Sequence, residues 1–292
     1  MKPLVLVNRG GGSAGKDPIR RVRAALKAAG VDADIKAVSG SGAAKHAAAA
    51  VRKGLKLVVA AGGDGTMSAI AGALSGSRTA LGLLPMGTLN HLARDLGIPF
   101  DLDEAAAVLA KGRARRIDLA ELNGRTFVNN SAIGLYPLMV VDRDSQHSRL
   151  GRSKRLAMLV ASIRAIARFH HQRLSLTVND EEKRIDTPLL FVGNNDYRID
   201  IGAAGRRESV AGGHLCVLVM RHNSRRGLVA AAIRALFNRA KDNDMVRIED
   251  VERLRVASRH KSLAVSLDGE VCRLPTPLDY RIRKGALRVI AP

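Results

Sequence analysis

The sequence predicts a doubly wound α/β domain over residues 1–120, followed by a mostly antiparallel, β-rich domain over residues 121–292. Two observations lead to this prediction. Apolar segments of strand length alternate with helical segments up to about Ile117, as in a parallel sheet covered by helices. Beyond that point, short strand candidates recur between turn signals, which is typical of antiparallel sheets. The length of 292 residues fits two domains, at roughly 150 residues each.

In the first half, Asp17 and Pro18 favour the start of a helix, as N-cap and first helical residue. The third strand is apolar almost throughout, as parallel strands are when both faces are covered. The predicted strands are Leu4–Asn8, Ala33–Val38, Leu55–Ala61 and Ala80–Pro85. The predicted helices are Pro18–Ala29, Ala43–Arg52, Met67–Leu74, Leu92–Leu96 and Leu102–Leu109.

In the second half, Asn123-Gly124 predicts a hairpin turn between the strands Ile117–Leu122 and Thr126–Ala132. Apolar residues at helical spacing predict two helices, at 154–169 and 226–240. The other strand candidates are Leu174–Val178, Leu189–Val192, Leu215–Met220, Leu254–Ala257, Leu263–Leu267 and Leu278–Ile282. The pattern also predicts a last strand within residues 285–292. It does not decide whether that strand joins the first domain or the second.

The composition favours a cytoplasmic protein with anionic partners. The two cysteines, Cys216 and Cys272, lie far apart in no disulfide or zinc pattern. No apolar run reaches the roughly 18 residues that cross a bilayer, and the N-terminal apolar segment is too short for a signal peptide. The net charge of +21 attracts nucleic acid, nucleotide or an acidic membrane. A basic surface without a specific partner is an equally good interpretation.

The segment Gly10–Lys16 matches the spacing of a phosphate-binding P-loop only in part. A P-loop continues with Ser or Thr, which binds Mg²⁺, whereas Asp17 and Pro18 follow here. An acid repels phosphate, and proline removes an N–H group from the helix start. We therefore favour a flexible glycine loop, or one that touches a nucleotide without being a P-loop.

A more specific signal is Gly62-Gly63-Asp64-Gly65-Thr66, after the buried third strand. Its glycines let phosphate oxygens approach backbone N–H groups, and the helix start that follows, capped by Thr66, favours an anion. Asp64 fits there if it contacts a metal ion or a metal-bound water. The alternative is a tight turn in which Asp64 is only a cap.

Two further segments are candidates for the same site. The loop after the fourth strand offers Gly87, Thr88 and Asn90 at the neighbouring strand end, where α/β sheets bind ligands. Asp268 and Glu270, in the remote segment Leu267-Asp268-Gly269-Glu270, could supply a general base and a metal or nucleotide contact. Alone, either segment would be interpreted as an ordinary turn.

In these motifs the sequence resembles the diacylglycerol-kinase-like lipid kinases, which include sphingosine kinases and bacterial lipid kinases. The three motifs at 62–66, 85–99 and 267–270 follow the order and spacing of that family, and the segments 127–134 and 191–195 resemble parts of its second domain. The resemblance implies a first domain similar to NAD kinases and phosphofructokinases, a C-terminal β-sandwich, and Mg²⁺-dependent transfer of phosphate from ATP to a lipid hydroxyl.

Carried over residue by residue, the resemblance gives Asn8, Gly62–Thr66 and Gly87, Thr88 and Asn90 to the nucleotide. It makes Asp268 the base for the acceptor hydroxyl, with Glu270 nearby.

The chain departs from the family pattern at three places. Asn8 is followed by Arg9 and glycines instead of Pro-x-Ser-Gly, and His91 replaces the aspartate that commonly follows Asn90. Residues 211–214 lack the Asp-Gly pair of a metal-binding loop. These departures put one acidic contribution to the nucleotide–metal site, and a structural metal in the second domain, in doubt.

Two other functions remain open from the residues: a NAD-kinase-like enzyme, and a non-catalytic basic protein that binds nucleotide, nucleic acid or membrane. The Asp268 segment and the β-rich second half weigh against the first. No motif identifies the lipid.

Two long acid-free stretches predict docking of the second domain on an anionic membrane surface, with no specific nucleic acid partner. They include the two predicted amphipathic helices, and a lipid kinase without a membrane span must meet its substrate at the surface. Their basic residues are Arg149, Arg152, Lys154, Arg155, Arg164, Arg168, Arg173, Arg221, Arg225, Arg226, Arg234, Arg239 and Lys241.

Overall fold

The computed structural model of the chain describes residues 2–10, 17–137, 172–178, 180–198, 206–221, 224, 227–228 and 244–292. The loop at 11–16, the predicted helix at 154–169 and all of the predicted helix at 226–240 except residues 227–228 lie outside these residues. The helices are α1 (Pro18–Ala28), α2 (Gly40–Arg52), α3 (Asp64–Leu74), α4 (His91–Asp95) and α5 (Leu102–Lys111).

The strands divide between the two halves of the chain. Those of the first half are β1 (Leu4–Asn8), β2 (Asp34–Val38), β3 (Leu57–Gly62) and β4 (Ala80–Pro85). Those of the second half are β5 (Arg113–Leu122), β6 (Arg125–Phe127), β7 (Asn130–Gly134), β8 (Gln172–Val178), β9 (Glu181–Thr187), β10 (Leu189–Asn194), β11 (Tyr197–Arg198), β12 (Arg206–Arg207), β13 (Leu215–Met220), β14 (Met245–Val251), β15 (Arg253–Ser258), β16 (Ser262–Leu267), β17 (Glu270–Pro275) and β18 (Leu278–Ala291).

The first half forms a parallel sheet in the order β2-β1-β3-β4. Helix α1 packs on α5 and α2 packs on α3, and β3 and β4 are buried along almost their whole length. As predicted, Asp17 caps α1, accepting a hydrogen bond from the Arg20 N–H at 3.0 Å, and Pro18 begins the helix. The predicted α/β domain is confirmed.

The second half contributes a six-stranded antiparallel sheet in the order β14-β13-β10-β7-β16-β17. It packs on the strands β15, β8 and β9, which extend the first sheet beyond β18. Both sheets fill one apolar core, in which the rings of Phe127 and Tyr280 meet edge to face at 6.3 Å. Two sheets around a common core form a β-sandwich, which confirms the predicted second architecture.

Strand β18 belongs to both halves, which answers the question that the sequence left open. Its first part pairs with β15, where Tyr280 lies opposite Leu254. Its last part pairs in parallel with β4, where Val289 lies opposite Leu81. One continuous strand therefore connects the parallel sheet to the β-sandwich. The division of the chain near residue 120 stays a prediction, because this strand is shared.

Candidate active site

Polar side chains meet at the C-terminal edge of the parallel sheet, where α/β proteins bind ligands. Asn8, the last residue of β1, donates from Nδ2 to Oγ1 of Thr66 at 2.8 Å. Its Oδ1 accepts a hydrogen bond from the Gly10 N–H at 3.0 Å. The side chain of Asn8 therefore ties the loop after β1 to the loop after β3.

Glycines allow the loops after β3 and β4 to touch. A Cβ atom on Gly87 would lie 2.5 Å from the Cα of Gly63. A Cβ atom on Gly62 would lie 2.8 Å from Oγ1 of Thr66. Both approaches are too close for any side chain, so these positions need glycine to let the two loops and Thr66 pack together.

Helix α3 begins at Asp64, inside the predicted phosphate loop, with Gly63 as its N-cap. The predicted capping role of Thr66 is wrong, because this residue lies within the first helical turn, where its hydroxyl accepts the bond from Asn8. Within the described part of the chain no side chain caps α3. Its first N–H groups are therefore available to an anion, as the helix dipole also favours.

The carboxylate of Asp64 reaches across to the second loop. Its Oδ1 accepts a hydrogen bond at 2.6 Å from the N–H of His91, the first residue of α4. The negative charge there also stabilises the start of that short helix. Among the described residues, no hydrogen bond is recorded for the second carboxylate oxygen, so Asp64 stays the predicted metal contact.

The second loop is closed by its own Asn90, which adopts a left-handed conformation with a φ of 49°. The Asn90 Oδ1 accepts from the Gly87 N–H at 2.9 Å, and its Nδ2 donates to the Gly87 carbonyl at 2.9 Å. Asn90 is buried and Thr88 is exposed. Asn90 thus shapes the loop, and Thr88 is open to a ligand; contact of this loop with a nucleotide stays a prediction.

His91 stands where the resemblance implies an aspartate. Its Nδ1 accepts a hydrogen bond at 2.7 Å from the guanidinium of Arg94, which can only donate. Burial lowers the pKa of His91, and Arg94 lowers it further, while Asp64 opposes the change. The imidazole is therefore neutral at pH 7 and adds no negative charge beside Asp64.

Asp268 lies in the two-residue turn between β16 and β17, where Asp268 and Gly269 have φ values of 47° and 86°. Its Oδ1 accepts hydrogen bonds from the N–H groups of Asn129 at 2.7 Å and Asn130 at 3.1 Å. Its Oδ2 accepts from the Val128 N–H at 2.8 Å. The carboxylate is thus fixed by the backbone that leads into β7.

A fourth hydrogen bond brings Asp268 to the phosphate loop. The Ser68 hydroxyl, in the second turn of α3, donates to Oδ2 of Asp268 at 2.6 Å, across 200 residues of sequence. Glu270 approaches the same helix, since its Oε1 would lie 3.5 Å from a Cβ atom on Gly65. The structure therefore brings together the first and third motifs singled out in the sequence.

The environment of Asp268 increases the affinity of its carboxylate for a proton. Burial raises the pKa of its carboxyl group, and the hydrogen bonds from Ser68, Val128, Asn129 and Asn130 oppose part of that rise. A carboxylate with a raised pKa holds a proton more readily at neutral pH.

Sequence reasoning missed a buried ion pair beside this site, between Arg207 of β12 and Asp95 at the end of α4. The guanidinium lies 2.8–2.9 Å from Oδ2 of Asp95. It also donates to the Val128 carbonyl at 2.9 Å and to Oδ1 of Asn129 at 3.3 Å. Arg207 therefore holds the same backbone segment that binds Asp268. No sequence signal distinguishes this arginine in so basic a chain.

Residues 211–214, the segment comparable to a metal-binding loop, are held by hydrogen bonds to side-chain acceptors. The Gly213 N–H donates to Oδ2 of Asp118 at 2.8 Å and to Oδ1 of Asn195 at 2.9 Å. His214 Nε2 lies 2.7 Å from Oδ2 of Asp196. Over the described residues, no group of three or more His, Cys, Asp and Glu side chains could hold a metal ion.

A cleft of about 440 Å³ opens beside Asn8, at the ends of β1 and β2. Its walls are Asn8, Arg9, Gly10, Ala37, Val38 and Ser39. One of its walls, Asn8, also donates a hydrogen bond to Thr66 of the phosphate loop.

Two family profiles match the chain. The diacylglycerol kinase catalytic domain matches residues 2–122, and the YegS C-terminal NAD kinase beta sandwich-like domain matches residues 139–291. Among the described residues, no helix is long and apolar enough to span a membrane.

Curated relatives match over part of their length. A protein of Cronobacter sakazakii named "probable lipid kinase YegS-like" is 43% identical over 96 residues, 32% of each chain. A protein of Salmonella newport named "probable lipid kinase YegS" is 36% identical over 137 residues, 45% of this chain and 46% of the relative. The matches thus span less than half of these relatives.

Solved structures from Bacillus anthracis strain Sterne share the fold over the whole chain. A structure described as a diacylglycerol kinase matches with a TM-score of 0.72 at 21% identity, over 100% of this chain and 97% of that one. Another matches with a TM-score of 0.79 at 24% identity, with the same coverage.

Proposed function

This chain belongs to the diacylglycerol-kinase-like lipid kinase family, and on that premise we propose that it transfers the γ-phosphoryl group of ATP to the hydroxyl group of a lipid such as diacylglycerol. The observation that carries the proposal is the 2.6 Å hydrogen bond between Ser68 and Asp268. It joins a candidate base to the helix whose start forms the phosphate loop.

The phosphate end of ATP fits the loop at 62–66. The α3 helix has no side-chain cap among the described residues, and its N-terminus attracts negative charge. Asn8 and the cleft of about 440 Å³ beside it offer room for the nucleoside. In this arrangement the γ-phosphate lies toward Ser68 and Asp268.

Mg²⁺ fits the residues present. In phosphoryl-transfer sites this ion is usually bound by one or two carboxylates and the substrate phosphates, with no protein cage. Asp64 would hold it through Oδ2, since its Oδ1 binds the His91 N–H. The ion would neutralise charge on the phosphates.

On the acceptor side, Asp268 orients the lipid hydroxyl and takes up its proton. Positioning and charge stabilisation supply most of the catalysis in such a loose transition state. The raised pKa of Asp268 improves its fit as a base at neutral pH, and Glu270 adds negative charge near Gly65.

We also propose that the protein is cytoplasmic and contacts the inner face of the membrane, because its substrate resides there. Arg173 and Arg221 of the predicted basic surface are among the described residues, and the other basic residues named for that surface lie outside them.

The test is ATP consumption by the purified protein with diacylglycerol in mixed micelles, with NAD⁺, or with neither. The proposal expects phosphorylated lipid and ADP in the first reaction alone. Phosphorylated NAD⁺ would support a NAD-kinase-like enzyme, and no ATP turnover under any condition would favour a binding protein.

A further inference from the structure

We propose that the Ser68 hydroxyl relays the proton of the acceptor hydroxyl to Asp268, a role that rests on the proposed phosphoryl transfer. Ser68 follows the phosphate loop in sequence and belongs to none of the residues that the motifs single out as catalytic. Its hydrogen bond to Oδ2 of Asp268 at 2.6 Å joins the candidate base to the helix that begins in the phosphate loop.

The first argument is the occupancy of Asp268. A carboxylate has about four lone-pair positions for hydrogen bonds. Here Oδ1 accepts two backbone N–H groups, and Oδ2 accepts one backbone N–H and the Ser68 hydroxyl. All four positions are filled by protein donors. An acceptor hydroxyl must therefore either displace one of these donors or pass its proton to Asp268 through one of them.

The second argument is the nature of these donors. Three are the backbone N–H groups of residues 128–130. A backbone amide does not pass its proton to a base during catalysis. Ser68 is the one hydroxyl among the four recorded donors. Its oxygen accepts hydrogen bonds while its own proton points at Asp268, which is the geometry that a relay requires.

The third argument is position on the helix. Ser68 lies four residues after Asp64 on α3, and residues at this spacing are neighbours on one helix face. Ser68 therefore lies on the same face of α3 as Asp64, the residue proposed to hold Mg²⁺, and one turn from the helix start proposed to hold the phosphates.

In the proposed step, the acceptor oxygen forms a bond to the γ-phosphorus of ATP while the bond from that phosphorus to the bridging oxygen breaks. ADP leaves with the electron pair of the broken bond. The acceptor proton moves to Oγ of Ser68, and the Ser68 proton moves to Oδ2 of Asp268. Ser68 ends as a neutral hydroxyl, and Asp268 later releases its proton to water.

The first test needs no substrate. Ionisation of Asp268 is followed by NMR through the amide signals of Val128, Asn129 and Asn130, in wild type and in Ser68→Ala. Because a hydrogen bond to the charged form lowers a pKa, its removal should raise the midpoint. The matched control is Ser75→Ala, at the other end of α3, which should leave the midpoint unchanged. The Ser75 hydroxyl has no hydrogen-bond partner within the described part of the chain. Equal midpoints in wild type and Ser68→Ala would overturn the proposal.

The second test is single-turnover phosphoryl transfer at saturating ATP and lipid. Ser68→Ala should lower the rate about tenfold or more with ATP affinity unchanged, and Ser68→Thr, which keeps the hydroxyl, should retain most of it. In H₂O–D₂O mixtures, the wild-type rate should depend on deuterium content with the curvature of two transferred protons. An unchanged or faster Ser68→Ala, or a linear or absent isotope dependence, would overturn the relay.

Failure of the relay and failure of the proposed function are distinguishable. A wild type that phosphorylates lipid while Ser68→Ala is equally fast overturns the relay alone. A wild type that phosphorylates no lipid overturns the proposed function, and the Asp268 titration still decides whether Ser68 makes the bond on which the relay depends.

Discussion

The two carboxylates of the site, Asp64 and Asp268, lie in regions that are built in different ways. Asp64 belongs to a loop of consecutive residues after one buried strand, and its recorded partner is a single N–H group. Asp268 lies at a hairpin tip and is held by four donors from two other segments. Changes near Asp64 should therefore affect ligand binding, whereas changes near Asp268 should affect stability and proton transfer together.

The largest expected effect is on stability, from Arg207→Leu. The side chains of Arg207 and Asp95 are 0% and 4% exposed, so the change leaves a buried charge without its partner and should cost about 3–5 kcal/mol in the free energy of unfolding. Urea denaturation measures this. Since Arg207 also holds the Val128 carbonyl, the phosphoryl-transfer rate should fall as well.

The matched control is Arg255→Leu, which breaks a pair with Asp279 whose side chains are 57% and 56% exposed. That loss should be about 1 kcal/mol or less. Equal losses of unfolding free energy in the two variants would show that the buried pair of Arg207 and Asp95 stabilises the fold no more than the exposed pair does.

The next largest effect is expected at Asp64, in the loop after β3. Asp64→Ala should lower activity at limiting Mg-ATP by about tenfold or more, as the loss of groups that bind or orient a metal does. Lys16→Ala should have little effect, because Lys16 belongs to the imperfect P-loop, outside the described residues. Steady-state kinetics against Mg-ATP compares the two variants. An inactive Lys16→Ala beside an active Asp64→Ala would mean that the nucleotide site is misassigned.

The same contrast, between a site built from consecutive residues and one built from distant segments, explains how much of the fold and the site the sequence could predict. Strands β1, β3 and β4 and the glycine loop were predictable because buried apolar runs and tight turns leave local signals. Strand β9 (Glu181–Thr187) was not, because five of its seven residues are exposed and pairing with β8 holds it. The ion pair of Arg207 and Asp95 left no signal because its partners are 112 residues apart. Motif resemblance pointed to Asp268, and only the fold shows its donors.

Another effect, of moderate size, is expected at His91. Burial lowers the pKa of the imidazole, so His91 is neutral above that pKa, whereas an aspartate is charged at pH 7. His91→Asp should therefore lower the Mg²⁺ concentration for half-maximal activity, by about fivefold if the added charge contributes about 1 kcal/mol. Mg²⁺ titrations of both proteins measure this, and identical curves would show that the position does not face the ion.

A smaller effect per residue is expected for membrane docking. Each basic residue near an anionic leaflet contributes about 1 kcal/mol, so changing Arg155, Arg164, Arg168 and Arg234 to Gln should weaken co-sedimentation with anionic liposomes. These four arginines lie outside the described residues. The control removes the same charge from the first half, by changing Arg20, Arg23, Lys27 and Lys53 to Gln. Equal binding by the two variants, or no dependence on lipid charge, would contradict docking through the second half.

The central claim is that Asp268 acts on the acceptor hydroxyl while the loop around Asp64 binds ATP. The most direct measurement is Asp268→Asn, with ATP affinity from calorimetry and phosphate transfer from labelled ATP to a lipid that the wild type phosphorylates. The substitution keeps the size of the side chain and removes the base. The account predicts unchanged ATP affinity and a fall in kcat of about 100-fold or more. A variant that keeps more than about a tenth of the wild-type kcat would contradict it, and Asp268 would then be only a turn residue.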